Sequence, residues 1–403
     1  MRNSRIISDF SYSFLSVGSS IAVLQLLVYP YLSRTMSIER YGEMISLIGI
    51  ITAVYQTSGG SLGQTRLIRN QLYTNEQGDF QVLLLISILL SISLIFILSS
   101  FFGNIKSESR ILNIVFLIVA IINTYSIVYF RIHLKYKQFF ISNILVGFGY
   151  IVGIGVSLIF TSWQYIFIFS HVIPIVYLLT KSSMLIEPIH VTANFKYTKS
   201  TYLWLVFSSG LSNLIQYLDK IIILPVLGGY SASILFASTY FAKALSLIML
   251  PVSNVLLSYL SSKRIILTRK KYFYLIISTF AVCLISSITI LLFISPITRI
   301  FFPTLVEEAH PYFVFSTITI VVGIAYGVIG LPLLVIAPTY WQFIINGFQL
   351  LVYLILALFF TINYGLWGFL VAMFVSNVLR VGISIAMVFR YLGNQDQKDI
   401  AYA

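Results

Sequence analysis

From Ala309 to Leu379 the chain runs for 71 residues without one Asp, Glu, Lys or Arg. As a single helix rising about 1.5 Å per residue it would be about 105 Å long, more than three times the ~30 Å hydrocarbon core of a bilayer. Such a segment has to fold back on itself. In lipid it has to do so as helices, because unpaired backbone groups find no water there. A charge near the bilayer centre costs at least ~2.5 kcal/mol, so charge-free stretches serve as a ruler for membrane spans. Only 9% of the residues are charged and 59% are hydrophobic, against about a quarter charged in soluble domains. That composition excludes a soluble enzyme.

Residues 10–33, 44–65, 80–105 and 111–130 hold one span each. Residues 138–180 hold two, divided near Thr161-Ser-Trp-Gln164, and 200–262 hold two, divided at Gly228-Gly-Tyr230 and interrupted by Asp219, Lys220 and Lys243. Residues 272–298 hold one, and 309–379 hold three, divided near Pro338-Thr-Tyr340 and Asn363-Tyr-Gly365. The expected fold class is all-α: a polytopic membrane protein of twelve transmembrane helices in two six-helix bundles. The longest polar connection in the middle of the chain, Lys181–Lys199, sets the expected organisation. An N-terminal bundle occupies 1–180, a cytoplasmic linker 181–199, and a C-terminal bundle with a short tail 200–403. Six is even, so two similar halves would be related by an axis along the membrane normal.

The 25 Lys and Arg outnumber the 12 Asp and Glu, and their positions favour topology over nucleic-acid binding. Placing the N-terminus inside collects Arg2, Arg5, Arg66, Arg69, Arg131, Lys181, Lys196, Lys199, Lys263 and Arg264, among others, on one side. Only Arg34, Arg40, Lys106, Arg110 and Arg299 then lie on the other. Both termini are expected in the cytoplasm, and the first span, lacking a cleavage site, is expected to be retained. The only cysteine, Cys283, lies in an apolar run and the four histidines are scattered, so no disulfide, metal site or catalytic constellation is expected.

What remains are charges inside spans. Lys243 falls 11 residues beyond Ala232, about 16 Å deep and near the midplane, and Arg380 lies deep in span twelve. Asp219 and Lys220 lie toward the end of span seven. These charges continue polar stripes at helical spacing: Ser209, Ser212, Gln216 and Asp219; Thr239, Lys243 and Ser246; Ser376, Arg380 and Ser384; Ser13, Ser16 and Ser20; and Asn346, Gln349 and Tyr353. Such faces belong against protein or water, because polar groups without partners are costly in hydrocarbon. The ordinary reading of Lys220 is a lysine snorkelling to headgroups, and that of Asp219 an ion-pair partner of Lys243 or Arg34. Gly149 and Gly153, and Gly323 and Gly327, are read as helix-packing positions.

After span one comes Tyr31-Leu-Ser-Arg-Thr-Met-Ser-Ile-Glu-Arg-Tyr-Gly42, and span seven reads Asn213-Leu-Ile-Gln-Tyr-Leu-Asp-Lys-Ile-Ile-Ile-Leu224, followed by Gly228-Gly-Tyr-Ser231. Gly59-Gly-Ser-Leu-Gly-Gln64 precedes Arg66. In these segments, and in its twelve spans and two halves, the chain resembles the O-antigen and capsule repeat-unit flippases of the multidrug/oligosaccharidyl-lipid/polysaccharide exporter superfamily. In the second half Pro225 stands where Arg34 stands in the first.

The resemblance implies transport of an undecaprenyl-diphosphate-linked oligosaccharide across a bacterial inner membrane by alternating access around a central cavity. It implies no enzymatic activity. Arg34, Lys243 and Arg380, with Gln216 and Ser212, are the expected substrate-contacting residues, and Asp219 with Lys220 is either an ion-coupling site or a structural ion pair. H+ or Na+ is the expected coupling ion and no other cofactor is implied; the partners implied are membrane lipids and a polysaccharide polymerase or ligase. Two alternatives stand beside this reading: a multidrug/cation antiporter of the same superfamily, and a membrane-embedded glycan polymerase or ligase.

Overall fold

The computed structural model describes residues 15–16, 18–69, 78–101, 107–182, 184–261, 267–337 and 340–401, and no strand occurs among them. The expected roles of Arg2, Arg5, Ser13, Lys106, Lys263, Arg264 and Pro338 lie outside the described residues.

Twelve helices follow one another among the described residues. The first, α1, ends in a π turn at Leu24–Val28 and an α turn at Tyr29–Thr35. Next come α2 (Ile38–Arg69), which contains the π turn Gln56–Gly60, and α3 (Gly78–Phe101). Then follow α4 (Ser107–Ser126, extended by Val128–Ile132), α5 (Tyr136–Phe160) and α6 (Gln164–Leu179). The continuous helical run Phe195–Ser261 is broken at Gly228, whose φ of 79° and ψ of 177° suit glycine alone, into α7 (195–227) and α8 (229–261). After α9 (Arg269–Phe301) and the segmented α10 (Val306–Ile336), the run Tyr340–Ala401 is broken at Gly365, φ 61°, into α11 (340–364) and α12 (366–401). The breaks fall where the sequence divides its apolar runs. Among the described residues eight stretches are long and apolar enough to cross a membrane, two of them containing the Gly228 and Gly365 bends, and Gln164–Leu179 is a shorter apolar helix. Outward-facing apolar side chains such as Leu89, Leu158, Ile159 and Leu292 are more than half exposed, as a lipid-facing surface requires.

The helices form two compact units: 1–35 with 47–217, and 36–46 with 218–403. This grouping departs from a simple cut at the 181–199 linker, and local contacts explain why. The first two-thirds of α7 joins unit one, where Ser209 shares a 2.6 Å hydrogen bond with Ser61 of α2 and the Asn213 amide donates to Thr57 Oγ1 at 2.8 Å. The start of α2 joins unit two, where Tyr41 is buried against the rings of Phe236 and Phe302 and Ser233 Oγ donates to the Ile38 carbonyl. Gly42 and Gly229 make that packing possible, since a Cβ on either would strike a backbone carbonyl, of Gly229 or of Glu39.

Within unit one, α4 carries the core on Phe116, Leu117, Ala120, Ile121 and Tyr125. Buried amides are paired across to α6: Gln164 Nε2 to Asn113 Oδ1 at 3.3 Å, and Asn123 Nδ2 beside His171 Nδ1 at 3.0 Å. Helices α5 and α6 approach closely because Gly149 and Gly153 sit directly on the backbone of Ser170 and Ile166. In unit two, Tyr272 and Cys283 of α9 pack with Val321, Ala325 and Ile329 of α10, Ile345 of α11, and Val381 and Val388 of α12. Gly323 lies against Asn377, whereas Gly327 faces open space and packs nothing.

Candidate translocation site

Asp219 lies beyond the point where α7 passes from one unit to the other, and its side chain is 9% exposed. Two lysines surround it. Lys243 of α8 donates from Nζ to Asp219 Oδ2 at 2.8 Å, while Lys220 offers its backbone N–H to Oδ1 at 3.0 Å and its Nζ to Oδ2 at 3.5 Å. A buried carboxylate needs such partners, since an unpaired charge in low dielectric costs several kcal/mol. The cluster nevertheless holds two cations to one anion. Its outer member is Lys243, with a side chain 35% exposed, while Lys220 is folded inward at 16%. Lys220 therefore does not snorkel: its ammonium turns to the carboxylate one residue away. Tyr353 of α11 lies within electrostatic reach of Asp219.

Arg380 of α12 is the other deep cation of unit two. Its guanidinium lies over the Tyr326 ring of α10, 3.5 Å from the centroid, and Nη2 donates to Asn346 Oδ1 of α11 at 2.8 Å. No carboxylate pairs with it among the described residues, and its Nε has no hydrogen-bond partner. Ser376 Oγ, one turn before it, and Gln349 Oε1, one turn from Asn346, are likewise buried without a partner. The stripes on α11 and α12 thus form a polar face left underfilled, while Ser384 bonds back to the Arg380 carbonyl in its own helix.

The remaining predicted residues belong to unit one. Ser212 and Gln216 are exposed on α7, Ser212 donating to the Ser208 carbonyl at 3.3 Å, and Arg34 is exposed in the last turn of α1. The structure thus gathers Asp219, Lys220 and Lys243 into one cluster, while Arg380 of the same unit is held by Tyr326 and Asn346. The face drawn from Ser209 to Asp219 is divided between the units.

Arg66 is a residue whose role the sequence hid. Counted among loop charges, it is 3% exposed inside α2. It pairs with Glu187 of the linker at 2.5 Å, bonds the Tyr125 hydroxyl and lies over the Phe80 ring. Its proximity to Arg69 made it look like an ordinary span end. No signal within α2 points to a partner 121 residues away.

Among the described residues no group of three or more His, Cys, Asp or Glu could hold a metal ion. No family model matches the sequence, and no curated protein does. Solved structures do match. A lipid II flippase, MurJ, in an inward closed conformation superposes with a TM-score of 0.70 at 16% identity, covering 95% of this chain and 89% of that one. An inward-facing MATE family multidrug resistance transporter of the MOP superfamily gives 0.60 at 12%, covering 96% of each chain. The bent form of the Vibrio cholerae MATE transporter VcmN gives 0.58 at 12%, covering 98% of each. The chain has the fold of these membrane transporters.

Proposed function

We propose that this protein is a flippase carrying an oligosaccharide linked to a polyprenyl diphosphate across a bacterial inner membrane, as an O-antigen or capsule repeat unit. The observation that carries this reading is the charge at depth: two lysines share one carboxylate, and an arginine has aromatic and amide partners but no acid among the described residues. A diphosphate is the natural complement of such sites, and basic side chains positioned at depth favour its transfer from one leaflet to the other. Exposed hydroxyl and amide groups on α7, Ser212 and Gln216, suit a glycan, and Arg34 at the end of α1 suits a second phosphate contact.

In this reading the halves 1–180 and 200–403 alternate access to a central cavity, with 181–199 as the cytoplasmic linker and both termini in the cytoplasm. Ion coupling by H+ or Na+ through Asp219, and cooperation with a polysaccharide polymerase or ligase, belong to the same proposal. The lipid II flippase among the structural neighbours supports a lipid-linked cargo. The MATE neighbours support the competing reading, a multidrug transporter. Against it, a cationic drug would want a free acid at depth, and Asp219 is already held by two lysines.

The test is a gene deletion with rescue. Loss of the protein should leave lipid-linked repeat units on the cytoplasmic face, and Lys243→Ala and Arg380→Ala should each rescue poorly at normal expression. Full rescue by both variants, or purified protein that binds lipophilic cations and no lipid diphosphate, would sink the proposal.

A further inference from the structure

At the start of α7, residues 196, 199, 200, 203, 204 and 207 fall at spacings of three, four, seven, eight and eleven, one continuous helix face. This face lines a cavity of about 430 Å³ and changes character along its length: Lys196, Lys199 and Ser200 at the linker end, then Leu203, Trp204 and Phe207. The apolar members are open, at 43%, 73% and 65% exposure. From Lys196 to Phe207 the face is about 16 Å long, the depth of one leaflet, half of a ~30 Å hydrocarbon core. The two ammonium groups are one turn apart. Residues 188–218 contain no Asp or Glu, the preceding acid in the sequence, Glu187, is bound to Arg66, Asp79 is bound to Thr192, and neither lysine makes an ion pair among the described residues.

We propose that this groove binds one anionic phospholipid standing in its own leaflet, its phosphate on Lys196, Lys199 and Ser200 and an acyl chain along Leu203, Trp204 and Phe207. The order from head to tail matches the order from interface to hydrocarbon, so the lipid enters without reorienting. The volume lies within the usual range of ligand pockets. A plain interfacial belt of Lys and Trp anchors a helix without a cavity; here basic and aromatic residues line a single one. The site stands apart from the deep charges of unit two and depends only on the chain being a membrane protein.

The experiment uses the full-length protein with Trp163, Trp341 and Trp367 changed to Phe, which leaves Trp204 as the only indole. The protein is reconstituted into vesicles in which a minority of phosphatidylglycerol, brominated midway along its chains, is mixed with phosphatidylcholine, or the reverse. A groove selecting the anionic lipid quenches Trp204 as if phosphatidylglycerol were enriched at least about fivefold locally, the attraction of roughly one lysine to an anionic surface. A second form keeping only Trp163 reports the general lipid annulus and should show no such enrichment. Lys196→Gln with Lys199→Gln should bring Trp204 back to the annular value. Equal quenching by both lipids, equal enrichment at Trp163, or a preference surviving the double substitution would overturn the site. Displacement of the brominated lipid by equimolar undecaprenyl diphosphate would overturn the phospholipid as occupant and make the groove a cargo station. Failure of the flippase reading would leave every one of these quenching outcomes unchanged.

Discussion

Breaking the ion pair between Arg66 and Glu187 should loosen the linker and lower stability by an amount the surroundings define. Arg66 is 3% exposed and bonded to both Glu187 and Tyr125, so Glu187→Gln leaves a buried guanidinium without its anion. Removing one partner of a fully buried pair costs about 3–5 kcal/mol. The Glu187 side chain is 18% exposed, so water partly compensates and the expectation is the lower end, about 3 kcal/mol. Arg66→Met should cost about as much, from the stranded carboxylate, and about 1 kcal/mol more from the lost Tyr125 hydrogen bond. The double variant removes both charges together, so it should be milder than the sum of the singles by at least about 2 kcal/mol. The assay is reversible unfolding in mixed micelles, with proteolysis of the linker as a local readout. Two further anchors hold the same linker: Gln81 Nε2 donates to the Met184 carbonyl at 2.5 Å, and Asp79 accepts from Thr192 N–H and Oγ1 at 2.7 and 2.6 Å. Glu187→Gln should therefore expose residues near 187 to protease before those near 192. Additive single effects, with no change in cleavage, would refute the reasoning.

Gly42→Ala and Gly229→Ala each drive a Cβ into a backbone carbonyl that no rotamer change can relieve, so both should reduce folded yield on size exclusion sharply. Gly228→Ala meets no atom within 4 Å but must adopt φ 79°, so thermal unfolding should show a smaller loss, about 1–3 kcal/mol. Arg380→Lys should fail to restore the wild-type melting temperature, because a point-charge ammonium cannot lie flat on Tyr326 while reaching Asn346. Recovery with Lys would show the planar contact to be idle.

The helices were legible in the sequence because the bilayer imposes a single length and a single polarity, and the turns announced themselves at Thr161, Gly228 and Gly365. The polar stripes on α11 and α12 were legible too, since helical spacing alone puts Ser376 beside Arg380. Partnership was harder. Asp219 had Lys243 and Arg34 as candidates, and only the fold selects Lys243, because a distance of 24 residues across a glycine bend has no fixed geometry until the bend is known. Arg66 was misread for a related reason: a basic residue near a span end looks the same whether it faces headgroups or reaches a carboxylate on a distant linker. The crossing of α7 between two units was invisible, since Thr57, Ser61, Ser209 and Asn213 are unremarkable until their helices meet.

The cluster around Asp219 also constrains how an anionic cargo would act on the proposed function. Lys243 is the one cluster member with substantial exposure, and its bond to Asp219 at 2.8 Å is the shorter of the two lysine contacts. In the proposed function a diphosphate drawing Lys243 away would leave Asp219 with Lys220 alone, so cargo binding and the loss of the α7–α8 ion pair would be linked. Asp219→Asn breaks that linkage by freeing Lys243 in advance. Its expected phenotype is therefore split: tighter binding of a lipid diphosphate in detergent, by about tenfold if one charge-assisted hydrogen bond of about 1.5 kcal/mol no longer competes, with slower translocation in vesicles. Lys243→Gln should weaken binding and slow transport together. Weaker diphosphate binding in Asp219→Asn, with the protein folded, would mean that the carboxylate holds Lys243 in place for the cargo and does not compete with it.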